Sequence, residues 1–229
     1  GCSEAEKIKI AIKSLGLDEL KPFNPHDKII EYMLGDSNEK KLIDFNLADF
    51  ADETAGESMA PGGGSISAYV GTLGVALGTM VANLSGHKAG WDDRWEEFSE
   101  WAKKGQAYKE TLLQLVDEDT NAFNKIIDGF RMPKDTDEEK ALRAEAIEAA
   151  TKYATEVPFK VMETAYQSME VARAMLADGM QTSLSDSAVG ILCAKTAVTG
   201  AFFNVKINAK DIKDRAFAED LLKRGEDIY

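Results

Sequence analysis

YKETLLQLVDEDTNAFNKIIDGF, Tyr108 to Phe130, decides the fold class. Tyr108, Leu112, Leu115, Ala122, Ile126 and Phe130 keep the spacing of one helix face, so the segment reads as an amphipathic helix. Asp119 falls on the same stripe, where a leucine would be expected, while Asp117 and Glu118 point elsewhere. A carboxylate in the middle of an apolar face loses hydration and must be paired, hydrogen-bonded or raised in pKa. Either a core aspartate with a local partner or a functional group meets that requirement.

Working backward, Trp95, Phe98, Trp101 and Gly105 continue the stripe, which predicts one long helix or a broken pair from Asp92 to about Gly129. Working forward, Pro133 and a capping box at Thr136 and Glu139 separate it from a helix carrying Leu142, Ala146, Ala149 and Tyr153. Pro158 either bends that helix or starts a new one. Met162, Tyr166, Met169 and Leu176 then mark a face expected to be core, ending at Gly179.

Two further segments are rich in small residues. Ser65 to Ser85 contains no charge, with Gly71, Gly74, Gly78 and Ala82 on one side and Leu73, Leu77, Met80 and Leu84 on the other. Ser65 is its expected N-cap. The second, expected to be capped by Ser185, carries Ala188, Gly190, Ala194, Ala197, Gly200 and Ala201. Small faces let backbones approach, so these helices are expected to pack centrally against each other or across a dimer axis. The uncharged run is long enough to be weighed as a membrane span, but its Gly, Ser, Thr and Asn content favours a helix buried in a bundle. A last helix is expected from about Asp211 to Arg224. With no alternating strand pattern, the chain reads as all-α: a multi-helix bundle with long central helices.

Near the start, Ser3 and Glu6 form a capping box for a short helix stopped by Gly16. Lys21 to Leu34, with two prolines, reads as extended. Gly35 to Lys41 is a polar linker, placing a boundary between 1–38 and 39–229. Another helix is expected from Leu42 to Gly56.

The 229 residues are 44% hydrophobic and 29% charged, a composition suited to a soluble domain with a substantial core. A formal charge of -13 argues against nucleic acid and anionic membrane surfaces as partners. Cys2 and Cys193 suggest neither a disulfide framework nor zinc, and His26 and His87 are too isolated to help, so no metal is expected. With no signal peptide visible at the start, a reducing, cytoplasmic location is the expectation.

Five blocks stand in order: APGGGS at 60–65, LVDEDTNAF at 115–123, RMPKDTDEEK at 131–140, the Ser185–Asp186 pair, and GAFFNVKIN at 200–208. Together they resemble the cyclodeaminase portion of the formiminotransferase-cyclodeaminase family, over roughly Leu42 to Tyr229. LGLDELKPFNPHDKIIEYML, at Leu15 to Leu34, is similar to the end of the family's transferase half. The resemblance implies a homodimer or higher homo-oligomer that closes 5-formiminotetrahydrofolate to methenyltetrahydrofolate with loss of ammonia, an ammonia-lyase acting on free or polyglutamylated folate.

In that reaction a folate nitrogen attacks the formimino carbon and an amino group must leave, so one group moves protons at both steps. A carboxylate of raised pKa suits the task, and Asp119 matches the family's proposed catalytic aspartate. Gly63, Gly64 and Ser65 read either as a tight turn before close packing or as free amides suited to a carboxylate or a pterin edge. Ser185 and Asp186 read as a cap with a first-turn acid, which the resemblance shifts toward gripping pterin nitrogens. Asn204 and Asn208, one turn apart, are candidates for the same task. Lys88 and Arg131 are candidate counter-charges for glutamyl carboxylates, or ordinary solvated charge. His87 stands where family members often carry glycine, which leaves a second proton carrier open. Methenyltetrahydrofolate cyclohydrolase is the close alternative, because water and ammonia would occupy the same tetrahedral carbon. A non-catalytic dimerisation module is the distant one.

Overall fold

Caps and breakers divide the chain into helices. Ser3 and Glu6 close the capping box on α1 (Glu4–Ser14), and Gly16 follows at φ 63°, a left-handed conformation that favours glycine. The computed structural model describes residues 1–35 and 41–229, and no strand occurs among them. The middle of the Gly35–Lys41 linker, with its boundary, lies outside the described residues.

Two short helices, α2 (Pro25–Lys28) and α3 (Ile30–Gly35), replace the extended segment expected over Lys21–Leu34. Pro25 occupies a first helical position, where its missing N–H costs nothing, so this proline starts a helix. Beyond the linker, the helix expected from Leu42 is divided. Leu42–Asp44 is a 3-10 turn, and Asn46 then starts α4 (Leu47–Ala55) by accepting from the Asp49 N–H at 2.9 Å.

Four long helices form the bundle: α5 (Gly63–Gly86), α6 (Trp95–Arg131), α7 (Asp137–Asp178) and α8 (Leu184–Asn208). The long-helix reading of Asp92–Gly129 holds, with a 3-10 turn at Asp92–Arg94 ahead of an unbroken α6. α5 packs against the other three, α6 also meets α7, and α7 meets α8; α9 (Arg215–Ile228) lies against α7 and α8. Leu112, Met162, Val198, Ala201 and Phe202 belong to the core they enclose.

Small residues set the spacing. A Cβ on Gly74 would lie 2.7 Å from the Gly190 carbonyl oxygen, and one on Gly190 would lie 2.7 Å from that of Gly74. The two small-faced helices therefore pack on each other within one chain, antiparallel, with Gly71 against Ala197 and Gly63 against Asn204. α6 is antiparallel to α5 as well, since Gly105 meets Thr79 at one end and Asp119 meets Gly64 at the other.

Three expectations about packing are corrected. Tyr166 and Leu176 are 53% and 41% exposed, so the Met and aromatic stripe of α7 is not a continuous core face. The face that packs is Ala154, Met162, Ala165 and Ala172, small enough to admit neighbouring backbones. Phe130 is also exposed, because Gly129, tight against Ile147, takes the contact with α7. The final helix starts four residues later than expected, where Asp214 accepts from the Phe217 N–H at 3.2 Å and caps it.

Pro158 neither stops nor divides α7. A proline in a helix removes the bond to the carbonyl four residues back, here that of Ala154. Asn208 Nδ2 donates to the Ala154 oxygen at 2.7 Å and fills the vacancy from α8.

Segments Gly63–Gly86 and Gln181–Asn208 are both long and apolar enough to cross a membrane by length and composition. The first is mostly covered within the chain, whereas the second is only 39% buried. Leu73, Met80 and Leu84 on α5 and Val189 and Leu192 on α8 remain exposed.

Candidate active site

The antiparallel register of α5 and α6 carries Asp119 to the N-terminal end of α5. Ser65 is the third residue of that helix rather than its N-cap, a position held by Gly62. Its backbone N–H donates to Asp119 Oδ2 at 2.9 Å, and its hydroxyl lies 3.1 Å from the same oxygen. The hydroxyl also reaches the Val116 carbonyl at 2.9 Å, one turn before Asp119 on α6. Asp119 is thus held by one carboxylate oxygen, and Oδ1 has no protein hydrogen bond among the described residues.

Gly64 makes this approach possible. A Cβ there would fall 2.0 Å from Asp119 Oδ1 and 2.5 Å from its Cγ. The glycine-rich turn therefore has a specific steric reason at one position: the carboxylate rests on the bare backbone of Gly64.

Burial pushes the Asp119 pKa up, and the hydroxyl and backbone N–H of Ser65 pull it down. The positive end of the α5 dipole also favours the anion. No lysine or arginine pairs with it among the described residues. Its neighbours do point elsewhere. Asp117 accepts from the Leu42 N–H at 2.7 Å, which pins the 3-10 turn to α6, and Glu118 accepts from the Tyr153 hydroxyl. Asp119 is thus a carboxylic group of raised pKa with one oxygen free of protein hydrogen bonds among the described residues, the type of group that general acid–base chemistry uses.

The candidate residues separate into two groups. Gly63, Gly64, Ser65, Asp119 and Asn204 come together: a Cβ on Gly63 would lie 3.2 Å from Asn204 Nδ2, which itself donates to the Gly200 carbonyl at 2.9 Å. Ser185, Asp186 and Lys88 lie at the other end of the α5–α8 pair. Asp186 and Asn204 share one helix, so its 1.5 Å rise puts them on the order of 27 Å apart. Ser185 is not the cap it was expected to be. Ser183 holds that position after a 3-10 turn at Gln181–Ser183, whose start is fixed when Ser85 accepts from the Met180 N–H.

Lys88 Nζ stacks on the Trp91 ring at 3.8 Å, and Arg131, on an exposed end of α6, pairs with Asp128 at 3.6 Å. Asn208 does not join the Asp119 group, because its amide is committed to the Ala154 carbonyl. Missing from the expected set were the Val116 carbonyl and Thr120, whose buried hydroxyl has no partner. Only the register between α5 and α6 reveals them. No group of three or more His, Cys, Asp or Glu side chains able to hold a metal ion occurs among the described residues.

Comparison with known proteins gives the family of the chain. Residues 46–227 match the family model described as Formiminotransferase-cyclodeaminase, and residues 2–35 match that of the Formiminotransferase domain. The chain is 37% identical over 217 residues to the formimidoyltransferase-cyclodeaminase of Mus musculus, a match covering 94% of this chain and 40% of that protein's length. It is 35% identical over 182 residues to the methenyltetrahydrofolate cyclohydrolase of Methylorubrum extorquens, covering 80% of this chain and 88% of that one. The crystal structure of a formiminotetrahydrofolate cyclodeaminase from Thermotoga maritima superposes with a TM-score of 0.69 at 25% identity, covering 80% of this chain and 89% of that one.

Proposed function

We propose that this chain, which belongs to the formiminotransferase-cyclodeaminase family, is a formimidoyltetrahydrofolate cyclodeaminase of one-carbon folate metabolism and histidine degradation. The observation that carries the reading is Asp119, partly buried at the α5 terminus, raised in pKa and with Oδ1 free. The folate N10 attacks the formimino carbon borne on N5, and Asp119 takes the proton that N10 loses as the new C–N bond forms. The protonated acid returns that proton to the amino group of the tetrahedral carbon. The old C–N bond then breaks, ammonia departs, and the methenyl bridge remains. Gly64, which borders Oδ1, and Gly63, which borders Asn204, have N–H groups that carry no protein hydrogen bond among the described residues, and with Asn204 they are assigned to the pterin edge.

The second reading, methenyltetrahydrofolate cyclohydrolase, is supported by the Methylorubrum relative. There water adds to the bridging carbon and the same carboxylate moves its proton. The transferase-like match over residues 2–35 favours the formimino substrate. For the assembly, the exposed apolar rows on α5 and α8 support a homodimer in which a second copy covers them. Ser185, Asp186 and Lys88 then belong to the site only if the partner presents them.

The test is to mix purified protein with 5-formiminotetrahydrofolate and follow methenyl absorbance and ammonia, beside a reaction started from methenyltetrahydrofolate. Methenyl formation with ammonia supports the cyclodeaminase. Methenyl decay without use of the formimino compound replaces it with the cyclohydrolase, and inactivity in both refutes the reading.

A further inference from the structure

Many hydroxyl groups on the long helices donate to their own helix, whereas two buried ones, those of Thr120 and Ser187, have no partner, and Thr120 stands next to Asp119. Thr72, Thr79, Ser85, Thr111, Thr151 and Thr155 each donate to the carbonyl four residues earlier on their own helix. For Thr120 that carbonyl is Val116, and its hydroxyl, buried and without a partner, does not take it. The acceptor is already occupied by Ser65 Oγ, arriving from α5 at 2.9 Å. Ser65 Oγ is at the same time 3.1 Å from Asp119 Oδ2. A serine hydroxyl has a single proton, so it serves one of these two acceptors at a time.

We propose that Ser65 is the positioning residue of Asp119, a hydroxyl switch with Thr120 as its reserve donor. When Asp119 is ionised, the Ser65 hydroxyl donates to Oδ2 and the Thr120 hydroxyl turns to the vacated Val116 carbonyl. When Oδ1 is protonated, Oδ2 is the weaker acceptor, Ser65 returns to Val116, and Thr120 is displaced. Throughout, the Ser65 N–H keeps Oδ2 in place, so the carboxylate changes protonation at Oδ1 without moving. No bond other than a hydrogen bond is made or broken in the switch.

The charged groups around Asp119 do not duplicate this role. α5 is uncharged from Gly63 to Gly86, Asp117 and Glu118 are engaged with Leu42 and Tyr153, and on α8 Lys206 lies over the Phe202 ring. Ser65 thereby leaves the set of substrate-binding residues: its N–H and its hydroxyl both face protein acceptors.

This inference rests on Asp119 being the proton carrier, and its test is read without substrate. In protein labelled with 13C at aspartate carboxyls, the Asp119 signal is identified by its loss in Asp119→Asn and titrated in the wild type, Ser65→Ala, Thr120→Val and the double variant. The expected result is an upward move of the midpoint in Ser65→Ala, a smaller upward move in Thr120→Val, and no more in the double variant than in Ser65→Ala. With substrate, Ser65→Ala lowers kcat roughly tenfold or more while KM changes little, the loss of one hydrogen bond to a charged group. An unmoved midpoint in Ser65→Ala, strictly additive shifts, or a raised KM at unchanged kcat would each overturn the switch. Thr120→Val is close in shape to threonine, so it keeps the test open if Ser65→Ala folds poorly. Absence of turnover on either folate refutes the proposed function and leaves the titration to judge the switch.

Discussion

Replacing Gly64 with alanine adds one methyl group at a position where the structure leaves none of the space it needs. The new Cβ would sit 2.0 Å from Asp119 Oδ1, and ordinary contact begins at 3.4 Å, so the carboxylate must retreat by about 1.4 Å or turn away. Misplacement of a reacting group by about 1 Å costs on the order of 100-fold in rate, so kcat is expected to fall by at least that factor. Stability changes far less. Overpacking costs ~1–3 kcal/mol, while alanine in place of glycine in a helix returns up to ~1 kcal/mol. The assay is steady-state turnover beside a thermal melt, with Gly86→Ala as control, since a Cβ there makes only ordinary contacts, with Phe98 Cβ at 3.4 Å and the Trp95 carbonyl oxygen at 3.9 Å. Turnover of Gly64→Ala within about threefold of wild type, at unchanged stability, would refute the claim that Asp119 works from its position over Gly64.

Asp119→Asn should abolish turnover and yet stabilise the fold at neutral pH. Burial raises the native pKa, so the native state holds the proton more tightly than the unfolded chain; stability falls as pH rises from the unfolded value toward the raised native one. Melts of both proteins across pH should show the gain of the variant shrinking as pH drops through that window. The same raised group predicts that the acid limb of kcat/KM lies above the ordinary carboxylate range, measured as a pH profile of the wild type. Asn208→Ala strands the Ala154 carbonyl and should cost ~1–3 kcal/mol by denaturant unfolding. Activity per folded molecule should be unaffected, and Pro158→Ala should recover most of the loss by restoring a backbone N–H. Leu192→Glu places a charge on the exposed row of α8 and is expected to shift the protein from dimer to monomer in sedimentation.

The helical architecture was legible because its signals are local. Capping boxes at Ser3 and Thr136 hold as read, and the period of three and four residues located α6 together with the residue that breaks its pattern. Asp119 stood out because an apolar stripe has no cheap use for a carboxylate. The small faces of α5 and α8 were equally plain, since a row of glycine and alanine at helical spacing weakens a helix by itself and is useful where another backbone comes close.

What spacing along the chain did not show depends on contacts between distant segments. Ser185 looked like a cap, but the start of α8 is set by Ser85 holding the Met180 N–H from another helix. Asn208 looked like a ligand group one turn from Asn204, and its partner is a carbonyl on α7. Lys88 and Asp186 share a sequence argument with Gly64 but sit at the opposite end of antiparallel helices, an arrangement that spacing along the chain does not reveal.

Pro158 and Asn208 also constrain the order in which this sequence can change over generations. An ancestor with an ordinary residue at 158 tolerates an asparagine at 208 as a spare donor, after which the proline can arrive at little cost. The reverse order passes through a chain with an unanswered carbonyl in its interior. Loss runs the other way, with the proline departing first. Relatives are therefore expected to carry proline at 158 together with a donor at 208, or neither, or the donor alone, and an alignment in which proline persists beside an apolar residue at 208 would show that another group has taken over the repair.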